Sequence, residues 1–296
     1  MRHERERERE SCSRLIAQSN LDSSNTSNIP KDSTNHSKDS KELLDSTILQ
    51  ILEKPIDSLE SQFFATNSCE FLPKLYGIWK NVNEIDFDKL PNAFVLKVNH
   101  LGHGTGVVVV SNKKEFLTDK QFYNKTMKNL QKCLKVNAYL VCREWHYNDI
   151  EPRVFAEELL TQDGADPTTY KFHIFGDNHA NNFIQVTSER FSENYQRAIM
   201  DYEWQLAPFG ILYDNTKLKH TPPCPNTLKS MISIAHILAE PLAYVRVDLY
   251  NADSIQNYRV LVGELTLCHG GAKEKFIPME YDKKIGDLWS IKDLQC

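Results

Sequence analysis

At 296 residues and 41% hydrophobic content, the chain suits one large domain or two modest ones with a substantial core. A formal net charge of -5 lacks the basic footprint that nucleic-acid binding favours. No apolar run approaches a membrane span, the Ser-rich start lacks the apolar core of a signal peptide, and the seven cysteines are scattered without a C-x-x-C pair, so reduced thiols in a soluble cytoplasmic protein are expected.

The chain opens with alternating charges, Glu4-Arg5-Glu6-Arg7-Glu8-Arg9-Glu10, and residues 18–42 are dominated by Ser, Asn, Asp, Lys and Thr. Such sequence buries too little apolar surface to offset the entropy of ordering, so residues 1–42 read as a disordered low-complexity tail. Residues 43–90 read as a short N-terminal segment. Within it Leu43, Leu44, Ile48, Leu49, Ile51 and Leu52 recur at about 3.6 residues, which predicts a short helix stopped by Pro55. Dense apolar sequence begins near Phe63.

Strands are predicted next at Ala93–Asn99 and Gly106–Val110, with the glycine-rich turn His100-Leu101-Gly102-His103-Gly104-Thr105 between them. Phe122, Met127, Leu130, Cys133 and Leu134 line one side of a first helix. Further strands are predicted at Arg153–Glu158, Tyr170–Phe175 and Phe183–Thr187. A second helix takes Asn226 or Thr227 as its cap and runs through Met231, Ile232, Ala235 and Leu238. The last unit is a hairpin of Ala243–Tyr250 and Val260–Thr266 around the turn-prone Asn251-Ala252-Asp253-Ser254. A sheet-rich α+β protein results, with helices packed against antiparallel sheets.

Three segments carry candidate chemistry. In the hairpin, alternation puts Tyr244, Arg246, Asp248 and Tyr250 on one face, and Glu264 and Thr266 on a face with Val260 and Val262. Pairing about Gln256 brings Asp248 opposite or close to Glu264. Like charges so placed repel unless a cation lies between them, and hard oxygen ligands suit Mg²⁺. Two acids on a solvated sheet face fit the same pattern.

The second segment is the glycine turn. Glycines let a backbone approach phosphate oxygens closely, and Lys97 near the end of the preceding strand is placed to reach a nucleotide phosphate. The lysine precedes the glycines and a strand follows them, which fits neither a protein kinase nor a Walker loop; a tight hairpin with an exposed lysine is the plain alternative. The third segment, Arg153 to Leu160, fits a hinge that reads adenine and ribose, or simply a charged strand end. Glu157 and Glu158 point oppositely along a strand and cannot serve one acid–base centre. His100, His103, His146, His173, His179 and His269 match no metal-ligand spacing and read as structural or loop histidines. Asp201-Tyr202-Glu203-Trp204 suits either an acceptor contact or core packing.

In order along the chain stand Leu72-Pro73-Lys74-Leu75-Tyr76-Gly77-Ile78-Trp79, Phe94-Val95-Leu96-Lys97 with Asn99-His100, and Glu144-Trp145-His146-Tyr147 with Pro152-Arg153. Tyr170-Lys171-Phe172, Val245-Arg246-Val247-Asp248-Leu249-Tyr250, Gly263-Glu264-Leu265-Thr266 and His269-Gly270-Gly271 follow. This series resembles the TupA-like ATP-grasp proteins, named for teichuronopeptide biosynthesis and often described as polysaccharide-biosynthesis glycosyltransferases. It departs from many ATP-grasp enzymes in carrying Thr266 where an asparagine follows the metal glutamate.

The resemblance implies an ATP-grasp fold in which two α+β subdomains, here residues 91–160 and 161–296, clamp a nucleotide. It implies ATP and Mg²⁺ as cofactors. Lys97 would contact the α- and β-phosphates, the loop with Gly102, Gly104 and Gly106 would close over them, and Glu157, Glu158, Leu159 and Leu160 would line the adenine and ribose pocket. Lys171 would add a further nucleotide contact. Asp248 and Glu264 would hold the metal, and Arg246 would stabilise the acylphosphate or the γ-phosphate. The implied reaction activates a carboxylate as an acylphosphate for attack by an amine or similar nucleophile, with a small-molecule or glycan acceptor, peripheral to a glycan-assembly system. A glycosyltransferase using the same acids on a sugar nucleotide, and a non-catalytic nucleotide-binding homologue, are the alternatives.

Overall fold

The computed structural model describes residues 71–289, apart from 103, 143–146, 148–149, 162–165, 177–180, 189–195, 241 and 255–256. The tail, the helix predicted over 43–52, and His103, His146 and His179 therefore lie outside the described residues. Strands β1 (Leu75–Trp79), β2 (Phe94–Val98), β3 (Val108–Val110) and β4 (Val154–Glu157) form an antiparallel sheet in the order β1-β4-β2-β3. β1 lies within the segment 43–90 and pairs along β4 from Leu75 to Trp79.

Alternation along β2 and β4 sends Phe94, Leu96, Val98, Val154 and Ala156 to one face. There they pack with helices α1 (Lys113–Thr118) and α2 (Lys120–Cys133) through Phe116, Leu130 and Cys133. Asn112 and Asp119 cap these helices by accepting from the backbone N–H groups of Glu115 and Phe122. Phe122 itself, expected on the packed side of α2, is exposed; buried Thr126 and partly buried Tyr123 line that side instead, and Phe122 meets the edge of Phe116. A short helix α3 (Ala138–Cys142) follows.

The second sheet has five antiparallel strands in the order β10-β9-β5-β6-β7. They are β5 (Thr169–Ile174), β6 (Phe183–Ser188), β7 (Gln196–Met200), β9 (Val245–Ser254) and β10 (Asn257–Thr266). One face carries Tyr170, Phe172, Ile184, Val186, Ala198, Val245, Val247 and Leu249, which pack on helix α4 (Leu228–Ala239) through Met231, Ile234 and Ala235. Thr227 occupies the cap of α4, one of the two positions expected. A two-stranded ribbon, β8 (Gly210–Ile211) with β11 (Phe276–Ile277), and helix α5 (Glu280–Gly286) enclose a smaller core around Phe175, Phe183, Ile199 and Phe209. Where β7 continues, Asn215 acts as a substitute strand: its amide accepts from Ile199 N–H at 2.9 Å and donates to Ile199 and Ala207 carbonyls. Among the described residues, no helix is long and apolar enough to cross a membrane.

The β9–β10 hairpin corrects two expectations. The strand does not turn at Asn251; it continues to Ser254, and β10 starts at Asn257. The register also shifts at Gly263: Val262 faces Leu249, but Glu264, two residues on, faces Asp248 one residue back. Gly263 is the extra residue of a β-bulge, and a bulge reverses which face the following side chains take. Val260 and Val262 therefore join the core with Leu249, while Glu264 and Thr266 cross to the face of Asp248 and Arg246. Without the bulge Asp248 would face Gly263.

A Cβ at Gly263 would lie 2.4 Å from Tyr250 Cε2, so the bulge has room only for glycine unless the Tyr250 ring moves. Gly263→Val is expected to lower the urea unfolding midpoint, with a cost of about 1–3 kcal/mol from overpacking. An unchanged midpoint would show that the ring yields freely.

Candidate functional site

The face of the five-stranded sheet opposite α4 is polar at its centre. Cross-strand pairing aligns Gln185, Lys171, Asp248 and Glu264 in one row, and places His173 beside Arg246 and Thr266 in the next. Directly paired residues share a face, so these side chains converge.

Asp248 is the hub. Its side chain is 3% exposed, and a bare buried carboxylate would be very costly. Arg246 grips it bidentately, Nε to Oδ1 at 2.6 Å and Nη2 to Oδ2 at 2.9 Å, while Lys171 Nζ donates to Oδ2. Burial is the largest single influence on Arg246 and disfavours its charge, but the charge and hydrogen bonds of Asp248, with Glu264 and Tyr244 adding to them, together raise the guanidinium pKa. For Lys171, burial dominates and lowers the pKa despite Asp248, with Arg246 adding repulsion. Glu264 is the open member, 53% exposed: its Oε1 accepts from Thr266 Oγ1 at 2.8 Å and lies 3.8 Å from Arg246 Nη2. The cation between the two acids in this arrangement is the Arg246 guanidinium. The threonine at 266 has a task of its own, orienting Glu264.

Beside this cluster runs a chain that spacing did not reveal. His173 is fully buried, and its Nδ1 lies 2.9 Å from the Tyr244 hydroxyl, which lies 2.9 Å from His269 Nδ1. Both histidines were read singly as structural. Only the register, which sets His173 against Arg246 and two residues from Tyr244, brings them together. Arg197 donates to Glu274 at 3.2 Å nearby.

On the four-stranded sheet, Lys97 and Glu157 share the face away from α1 and α2, and Lys97 Nζ pairs with Glu157 Oε1. Glu158 points elsewhere, as alternation requires: its Oε2 accepts from Lys74 N–H at 3.1 Å, and its own N–H donates to the Lys74 carbonyl. The turn after β2 closes through Thr105 N–H to the Gly102 carbonyl, with Gly104 and Gly106 at φ of 74° and 75°. A Cβ at Gly104 would meet nothing within 4 Å, so one side of this loop is open space. Leu159 and Leu160 follow β4, half-buried. The residues singled out in the sequence thus fall into two groups, Lys97–Glu157 with its glycine turn and Lys171–Arg246–Asp248–Glu264.

Among the described residues no three His, Cys, Asp or Glu side chains gather as a metal cage. Mg²⁺ seldom needs one, because it keeps waters and phosphate oxygens beside one or two carboxylates. Asp248 and Glu264 fit that role in type and placement, two hard oxygen donors at directly opposed positions on one face. Both Asp248 oxygens are already engaged by Arg246 and Lys171, so a metal there would share or displace those contacts. Elsewhere, Trp204 is a packing residue: it touches the core and donates Nε1–H to the Pro222 carbonyl at 2.9 Å.

Burial holds the pKa of His173 well below the ordinary 6.5, and the nearby His269, Arg246, Lys171 and Arg197 push it the same way. The unfolded chain therefore takes up a proton near pH 6.5 that the folded chain refuses. Stability is fully present above that value and falls as pH drops, by about 1.4 kcal/mol per pH unit for such a histidine. Urea midpoints measured between about pH 7.5 and 5 should decline toward acid, and His173→Phe should flatten the decline. Equal slopes in both proteins would remove this account.

A family model described as TupA-like ATPgrasp matches residues 63–290. No curated protein matches the chain. Among solved structures, D-alanyl-alanine synthetase A from Vibrio cholerae aligns at 11% identity and a TM-score of 0.35, covering 70% of this chain and 54% of that one. D-alanine-D-alanine ligase from Helicobacter pylori aligns at 14% identity and a TM-score of 0.36, covering 71% and 54%. The ATP-grasp ligase PsnB, complexed with minimal precursor, Mg and ADP, aligns at 13% and 0.36, covering 77% and 51%. The chain spans about half the length of these proteins. With most of its length, and every strand of both sheets, inside the region matched by the family model, the chain belongs to the TupA-like ATP-grasp family.

Proposed function

We propose that the protein is an ATP- and Mg²⁺-dependent ligase. It would activate a carboxylate as an acylphosphate for attack by an amine or similar nucleophile, in surface polysaccharide or glycopeptide synthesis in the cytoplasm. The observation that supports this reading best is the Lys171–Arg246–Asp248–Glu264 cluster converging on the face of the five-stranded sheet opposite α4.

At rest the cations of both sheets are neutralised by the protein's own acids: Lys97 by Glu157, and Lys171 and Arg246 by Asp248. A nucleotide would exchange these partners. Lys97 would turn to the α- and β-phosphates, Lys171 to a further phosphate oxygen, and Arg246 to the γ-phosphate. The backbone of the loop with Gly102, Gly104 and Gly106 has the positive φ values and open side that a phosphate cradle needs. Glu157, Glu158, Leu159 and Leu160 would line the base and ribose, with residues 91–160 and 161–296 as the two halves of the clamp.

Asp248 and Glu264 would hold Mg²⁺, which neutralises phosphate charge when bound. In the first step a carboxylate oxygen of the donor attacks the γ-phosphorus and ADP leaves. In the second the nucleophile attacks the acyl carbon and phosphate leaves. This chain's own contribution is orientation and charge: Arg246 and Lys171 hold the transferring group in line and offset its negative charge without forming a covalent bond.

A ligand that binds only the native state stabilises it by about 2.7 kcal/mol at a hundred times its Kd. Thermal unfolding with Mg²⁺-ATP should therefore rise clearly over the free protein. Lys97→Met should lose much of the rise, and Glu264→Gln should lose the part that depends on Mg²⁺ without stranding a buried cation. Wild type unmoved by Mg²⁺-ATP, or raised only by UDP-sugars, would replace this reading.

A further inference from the structure

The Tyr244 hydroxyl has one proton and two histidine nitrogens at 2.9 Å. It donates to one ring and accepts from the N–H of the other, so the two rings must hold opposite tautomers. His173 decides which. Its ring is fully buried, stacked on Phe183 at 4.3 Å, and its Nε2 has no hydrogen-bond partner among the described residues. A proton on Nε2 would strand a buried N–H donor, and stranded donors are rarer in native proteins than under-satisfied acceptors. The proton therefore sits on His173 Nδ1 and is donated to the Tyr244 oxygen. Tyr244 then donates to His269 Nδ1, which leaves the His269 proton on Nε2.

His269 differs from His173 in exposure. It is half-buried where His173 is fully buried. Tyr244 is locked between these rings and Trp289, which stacks on it at 4.6 Å. Tyr244 lies just before β9, two residues ahead of Arg246, and His173, paired with Arg246, meets the His269 ring edge-on at 5.0 Å, so His269 stands near the guanidinium end of the charge cluster. Lys171, Arg246 and Arg197 already supply positive charge to this face, with Asp248, Glu264 and Glu274 as the acids. A fourth cation at His269 would meet repulsion. Burial, with Arg246 and Arg197, keeps the ring neutral against the opposing pull of Glu274.

We propose that His269 presents a neutral Nε2–H donor to a phosphoryl oxygen of the nucleotide, with Tyr244 and His173 as positioning residues that fix its tautomer. This rests on the nucleotide reading above and assigns His269 a hydrogen-bonding role in place of a base. A neutral donor adds a directed hydrogen bond beside Arg246 without adding charge to an already cationic face.

Ring-nitrogen NMR of the ¹⁵N-labelled full chain at neutral pH tests it, with His173→Gln and His269→Gln giving the assignments. Wild type should show His173 protonated on Nδ1 and His269 on Nε2, and Tyr244→Phe should release the fixed pattern. Adding Mg²⁺ with the non-hydrolysable analogue AMP-PNP should move the His269 Nε2–H signal. His269→Ala should bind that analogue about tenfold more weakly, and His269→Gln, whose amide N–H₂ can stand near Nε2, should recover most of the loss. His269 found as the Nδ1–H tautomer or as an imidazolium overturns the proposal, as does analogue binding that leaves its signal unmoved. Failure of wild type to bind the analogue at all, with the tautomers as expected, would overturn the nucleotide reading and the ligand role together, leaving only the positioning chain.

Discussion

A buried carboxylate must have a partner, and Asp248 is the residue around which this protein's polar sheet face is arranged. Its two oxygens take Arg246 from the same strand and Lys171 from the neighbour, an arrangement available only because alternation and register point all three side chains one way. The cluster is weak evidence of stability in itself, since desolvating several charges costs roughly what their attraction returns. It makes sense as a preorganised site. Cations already desolvated and aimed lose little freedom when a phosphate replaces the carboxylate.

The second acid reaches this cluster by a backbone device. Strict alternation along β10 would keep Glu264 with Val262, on the α4 side of the sheet. The extra residue at Gly263 turns Glu264 and Thr266 to the other side while Val260 and Val262 stay in the core. Glu264 remains half-exposed, held by Thr266 alone at short range. One acid is therefore committed to the protein's own cations and the other is available, the division that the proposed metal role would need.

Much of this was legible in the chain. The β-rich run Phe94–Val98 and the alternation of Val245–Leu249 marked real strands, the glycine turn after Lys97 formed, and the motif series pointed to the family whose match covers 63–290. The facing of Asp248 and Glu264 also emerged, through a symmetric pairing that reached the right partners by a different path from the bulged one. What periodicity could not contain was the bulge, because one inserted residue is invisible to a period-two pattern. Nor could it contain the His173–Tyr244–His269 chain, whose members come from a strand, the bend before β9 and a 3-10 turn and share no spacing. Phe122 failed for a third reason: hydrophobicity placed it inside, but the helix angle gives that side to Thr126 and Leu130.

The two sheets repeat one electrostatic idea at different depths. Lys97 and Glu157 form a partly exposed pair, in which solvent screens both charges and exchange for another anion costs little. Lys171, Arg246 and Asp248 form a nearly dry one, in which losing a partner without replacement is severe. An anion arriving at the site would accordingly meet Lys97 as a loose first contact and the Arg246–Lys171 pair as a demanding one, satisfied only if a cation takes over Asp248 at the same time. On the proposed nucleotide reading, phosphate and metal would thereby be coupled, each entering the inner cluster favourably with the other. That coupling follows from the burial of Asp248 alone and needs no movement of either sheet.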